Sequence, residues 1–171
     1  NLIAYTQRLV DACAALARDA LARLEPARLA WGVGTVNFPM NRREFTERGV
    51  ILGVNPRGPV DRSVPVLRVG AAEGDRLLGV VFGAACHNTT LGPQDYQISG
   101  DFAGRAQRQL EAAHPGAETL FVQGCAGDAN PYPRGSFSIA EQHGDELARE
   151  VTRLLATKLT PVRGPLKVVF G

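Results

Sequence analysis

The stretch Arg76–Cys86, RLLGVVFGAAC, decides the fold. Beyond Arg76 it carries no charge and no alternation of apolar with polar residues. It therefore reads as a strand that is apolar on both faces, as in a sheet covered by helices. Its apolar part, Leu77 to Cys86, is about ten residues, too short to span a bilayer. Upstream, Val66–Val69 reads as a second strand, and Glu73-Gly74-Asp75 as the tight turn that joins the two into a hairpin. Downstream, residues 99–113 have helical periodicity, with Phe102, Ala103, Ala106 and Leu110 on one side, and His114-Pro115-Gly116 ends them. Glu118–Gln123, ETLFVQ, is another apolar strand.

Working outward, residues 2–24 form an amphipathic helix, and Pro26 restricts the residue before it. Ala27–Val36 alternates as a strand. Residues 37–65 are rich in Gly and Pro and read as a long loop, with at most a short strand at 50–52. A loop of that length in a compact domain points to function. Residues 124–135 are a second Gly/Pro-rich loop, and Ser138-x-x-Glu141 is a capping box opening a helix over about 139–158. Pro165–Phe170 reads as a last strand. The expected class is α/β, a mixed, largely buried β-sheet with helices packed on its faces. Because the chain opens inside a helix without a leader, it is expected to be an internal part of one larger domain, with no second domain in its 171 residues.

Composition narrows the function. Lys and Arg total 19 against 17 Asp and Glu, a net charge of +2, which gives no electrostatic case for nucleic acid or an anionic membrane. Three cysteines with no C-x-x-C pair exclude a disulfide scaffold and a thiolate zinc knuckle.

In α/β sheets functional groups collect where strands end in loops. Two loops qualify. Cys86-His87-Asn88-Thr89-Thr90 puts an imidazole at a strand mouth, as a metal ligand, a general base, or a cap for loop carbonyls. Gln123-Gly124-Cys125-Ala126-Gly127-Asp128-Ala129-Asn130-Pro131 offers backbone N–H groups for an anion, with Asp128 either orienting a ligand or capping the backbone. A third candidate, Asn41-Arg42-Arg43, holds an arginine that clamps a carbonyl or carboxylate or else is a solvated basic turn. His114 and His143 read as structural, and Cys86 and Cys125 as small core residues. A shared site requires the His87 loop and the 124–131 loop at the same end of the sheet.

Together these segments resemble the N-terminal domain of the neutral/alkaline, non-lysosomal ceramidase family. The resemblance rests on their order: Pro26-Ala27-Arg28 with Trp31-Gly32-Val33-Gly34, then Asn41-Arg42, then Gly58-Pro59-Val60-Asp61. Phe82-Gly83-Ala84-Ala85-Cys86-His87, Ser99–Gly104 and the 123–131 loop follow. It implies hydrolysis of the amide of ceramide to sphingosine and a fatty acid, with a zinc ion. It also implies a small-molecule lipid amide as partner and a secreted or periplasmic location. By the same resemblance His87 is a zinc ligand, Arg42 lies near the scissile bond, and Gly127-Asp128 opens the family's Gly-Asp-x-Ser-Pro motif, so that Arg42, Asp128 and Asn130 are the catalytic candidates. The family serine falls on Asn130, which cannot be a nucleophile but whose amide can donate to an oxyanion. The resemblance places the other zinc ligands outside this chain: a His-x-His motif before residue 1, and a Glu and a Tyr after residue 171. The alternatives are a related metal-dependent hydrolase of another substrate and a non-catalytic binding domain that kept the fold.

Overall fold

The computed structural model describes residues 1–165 and 167–170. In chain order the elements are α1 (Leu2–Ala22), β1 (Ala27–Thr35), β2 (Pro39–Asn41), β3 (Arg43–Thr46), β4 (Gly49–Leu52), β5 (Ser63–Ala71) and β6 (Leu77–Ala84). These are followed by α2 (Asp101–Ala113), β7 (Glu118–Gln123), β8 (Ala129–Pro131), α3 (Phe137–Leu155) and β9 (Thr160–Pro161). The class is the mixed α/β one expected. Five strands form the main sheet in the order β7-β6-β5-β1-β9. β5 pairs antiparallel with both β1 and β6, and β6 pairs parallel with β7. β6, α2 and β7 thus make a strand-helix-strand crossover, so β6 and β7 end on the same side of the sheet.

Pleating sorts the strand residues between two faces. Val64 and Val66 of β5, and Val80 and Phe82 of β6, meet Phe102, Ala106 and Leu110 of α2 and Leu147, Val151 and Leu154 of α3 in one core. Phe102 stands edge-on to Phe121 of β7, 5.9 Å between ring centres, which ties the crossover helix to its strand. On the other face lie Trp31, Val33, Leu67, Val81, Leu120 and Val122. They are in register across four strands, and Trp31 (47% exposed) and Leu120 (58%) remain open to solvent. No residue of α1 is buried, although its Asn1 side chain caps the helix by accepting from the Ile3 N–H at 3.0 Å.

Three expectations change. Residues 50–52 form the short strand expected there, as part of β4, but the rest of 37–65 is not loop throughout. The region holds β2 and the β3–β4 hairpin, whose turn places Gly49 at a φ of +106°, a conformation glycine adopts without strain. The third helix starts at Phe137, and its cap is Ser136, whose hydroxyl accepts from the Ile139 N–H at 3.3 Å. Ser138 lies inside the first turn, so the Ser138-x-x-Glu141 box does not form. In the last strand expected, Leu166 lies outside the described residues, and residues 165 and 167–170 are not in a strand. The sheet edge beside β1 is taken instead by Thr160 and Pro161, and Val169 and Phe170 are exposed.

Candidate functional site

Gln123 ends β7 and His87 lies three residues beyond the end of β6, so the parallel pairing of these strands brings their loops to one end of the sheet. Gly124 makes the approach possible: a Cβ there would lie 3.3 Å from the Ala85 Cα, and the Gly124 N–H donates to the Ala84 carbonyl at 3.0 Å. The His87 N–H donates to the Ala129 carbonyl at 3.2 Å, and the Gln123 amide meets His87 Nδ1 at 3.4 Å. The two loops are joined, as a common site requires.

The third segment arrives through β2. Its three residues pair antiparallel with β8, Met40 opposite Asn130, which sets Asn41 and Arg42 against the 127–131 loop. Asn41, 4% exposed, anchors the junction. Its Nδ2 donates to the Pro59 carbonyl at 2.7 Å and its Oδ1 accepts from the Arg43 N–H at 2.9 Å. A longer contact of 3.5 Å runs from Nδ2 to Asp128 Oδ2. The Arg42 N–H donates to the Asp128 carbonyl at 2.7 Å.

The Arg42 guanidinium lies over the loop. Nε and Nη2 donate to the Gly127 carbonyl at 3.3 and 3.1 Å, and Nη1 donates to Asn130 Oδ1 at 3.3 Å. The Thr89 hydroxyl also donates to Asn130 Oδ1 at 3.3 Å. Arginine has no acceptor, so the contact fixes the Asn130 amide with its oxygen towards Arg42 and its NH₂ turned away. Partial burial, with the Arg42 charge adding to it, holds the His87 pKa below the ordinary histidine value, which favours the neutral imidazole.

The structure thus brings together His87, Arg42, Asp128 and Asn130. Four further contributors lie within the same motifs but carry no separate signal in the sequence: Asn41 as anchor, Thr89 on Asn130, Gln123 on His87, and Arg43, whose Nη2 also donates to the Gly127 carbonyl at 3.0 Å. Their roles depend on which loops meet. The other two histidines lie outside this cluster. His143, 5% exposed, stacks on Phe38 and holds the Pro133 carbonyl through Nε2 at 2.8 Å, and His114 caps the C-terminus of α2. Cys86 is buried, and burial together with the nearby Asp101 charge pushes its thiol pKa up to about 12. Such a thiol is inert, as a core residue should be. Cys125 is exposed, because it follows the close approach at Gly124 and sits on the loop, which corrects the expectation of a core residue there.

One imidazole does not make a zinc site. Among the described residues no three His, Cys, Asp or Glu side chains gather to hold a metal ion, against the three protein ligands of a catalytic zinc centre. A wide concavity between α2, α3 and the end of β1 offers no substitute. Its carboxylates, Glu150 and Glu146, accept from the backbone N–H groups of Thr35 and Asn37.

Comparison with solved structures finds the same fold in neutral ceramidase from Pseudomonas aeruginosa. The TM-score is 0.67 at 24% identity, over 85% of this chain and 25% of that one. A structure described as ceramidase complexed with C2 matches with a TM-score of 0.67 at 22% identity over the same shares. The chain thus spans a quarter of the length of these ceramidases, and its fold is ceramidase-like. No family profile and no curated protein matches the sequence.

Proposed function

We propose that this chain is part of an amide hydrolase of the neutral-ceramidase type acting on a lipid amide, with ceramide, cleaved to sphingosine and a fatty acid, as the reference substrate. The observation that carries the reading is the convergence of Arg42, His87 and the 127–131 loop at the carboxyl ends of two parallel strands. This is where α/β folds place their chemistry. The ceramidase-like fold supports it.

The residues divide the work by their chemistry. Arg42 is a fixed cation beside the loop, suited to the carbonyl oxygen that gains negative charge as the amide is attacked. The NH₂ of Asn130, turned away from Arg42, is a second donor for that oxygen. Asp128 holds the loop against Asn41 and Arg42. Asn130 cannot attack, so the oxygen that joins the acyl carbon comes from water, and the departing nitrogen leaves as the amine. Zinc belongs to this reading as the cofactor of a longer protein. The described residues do not complete a site for it, and His87 is proposed as one donor of a set completed by sequence outside these 171 residues.

The test is zinc content and hydrolysis of N-acyl amides of varied chain length by the protein carrying its natural flanking sequence. Asn130→Ala should keep the metal and lower turnover by about 10²–10³, the usual effect of losing one oxyanion donor. His87→Ala should lose metal and activity together. Full zinc and full activity in His87→Ala would refute the assignment.

A further inference from the structure

We infer that the site recognises an anionic oxygen group, a carboxylate or a phosphate, held between Arg42, Arg43 and the Asn130 amide. In the hydrolase reading the occupant would be the carboxylate of the released acid, whose oxygens take the donors assigned above to the developing oxyanion. That identification of the occupant rests on the hydrolase reading above, but the anion binding itself does not.

Two neighbouring guanidiniums converge on a single backbone oxygen. Arg42 reaches the Gly127 carbonyl through Nε and Nη2, and Arg43 reaches it through Nη2, all within 3.0 to 3.3 Å. Two like charges brought this close repel each other, and proteins usually set a carboxylate between them. None is there. Arg76, Arg105 and Arg153 each form ion pairs with Glu or Asp, but among the described residues neither Arg42 nor Arg43 has a carboxylate within 4.0 Å. The nearby acids are turned elsewhere: Asp128 towards Asn41, and Glu44 to the Val54 N–H. A carbonyl oxygen satisfies hydrogen bonds but not two full charges.

The loop adds one donor beside the Gly127 carbonyl, with the Asp128 carboxylate directed to Asn41. Asn130 has its oxygen engaged by Arg42 and Thr89, which leaves its NH₂ as the end available to a ligand. Room exists as well, since a Cβ built on Gly127 meets nothing within 4 Å. A pair of uncompensated guanidinium forks, an amide NH₂ and open space beside a glycine fit planar or tetrahedral oxyanions, which arginine binds through parallel hydrogen bonds. A serine at position 130 would supply one hydroxyl donor where Asn130 supplies two N–H donors.

The experiment is an NMR titration of the 171-residue chain with sodium acetate, inorganic phosphate and sodium chloride at matched ionic strength. It follows the Gly127 backbone amide and the Asn130 side-chain NH₂. Saturable shifts of both with acetate assign a carboxylate site, and saturation with phosphate alone assigns a phosphate site. Arg43→Gln should weaken the binding about tenfold, as expected for losing a charge-assisted contact. Arg43→Lys, which keeps the charge without the fork, should recover only part of it. Linear shifts equal to those in chloride, or saturation unchanged in Arg43→Gln, would overturn the inference. Anion binding without amide hydrolysis by the longer protein would retain this site and remove the hydrolase reading. Hydrolysis of neutral amides by a chain that binds neither anion would do the reverse.

Discussion

The two faces of the main sheet are built from the same strands and are almost equally apolar, yet they live in different surroundings. Val64, Val66, Val80 and Phe82 lie under α2 and α3 and are no more than 2% exposed. One residue along each strand the pattern turns over, and Trp31, Leu67, Val81, Leu120 and Val122 face away from those helices. The difference teaches that an apolar run records which faces of a strand avoid water, without recording what covers each of them. It also predicts that the effect of a substitution follows burial and not hydrophobicity.

The covered face should show the largest effects. Phe102 is fully buried between Phe38 and Phe121, so Phe102→Ala should cost about 3–5 kcal/mol in chemical denaturation, the usual range for a large aromatic removed from a core. A loss below about 1 kcal/mol would break the comparison at its strongest point. Asn41 should behave as a buried group although it is polar. Asn41→Ala removes the partner of the Pro59 carbonyl and of the Arg43 N–H and should cost about 1–3 kcal/mol by the same measurement.

His87 stands between the two extremes, and its effect depends on pH. Its pKa is lowered in the fold, so the unfolded chain binds more protons as pH falls below about 6.5. The stability contributed by neutral His87 is complete above that pH and is lost on acidification towards the folded pKa. His87→Gln should therefore flatten part of the fall in stability between about pH 7 and pH 5, and an unchanged pH profile would contradict the shift. On the open face, Leu120→Ser should change stability by no more than about 0.5 kcal/mol, as for other surface positions. A loss as large as that of Phe102→Ala would mean that this face is covered in solution.

The same distinction separates what was legible in the sequence from what was not. β6, β7, α1 and α2 announce themselves through runs and periodicities contained within each element, and the two strand-end loops follow from them. Of the β3–β4 hairpin only 50–52 is legible, as an apolar run, whereas β3 is not, because nearly all its residues face solvent and leave no alternation to detect. β2 is harder still. It is three residues long and exists through pairing with β8, roughly ninety positions away in the chain. The reach of Arg42 and Arg43 to Gly127 depends on that pairing, so their type was visible in the Asn41-Arg42-Arg43 motif but their target was not. The apolar run at the C-terminus misleads in the opposite sense: Val168 to Phe170 look like a strand, but the neighbouring edge is occupied by Thr160 and Pro161.

The central claim is that three segments distant in sequence form one site, with the Arg42 charge acting on His87. NMR titration of the His87 ring protons tests it most directly, in the wild-type chain and in Arg42→Gln, both free of metal. The wild-type pKa should lie below about 6.5 and rise towards that value when the guanidinium is removed. Identical titration curves for the two proteins would contradict it, because the arginine would then lie outside the reach of the imidazole it is placed beside.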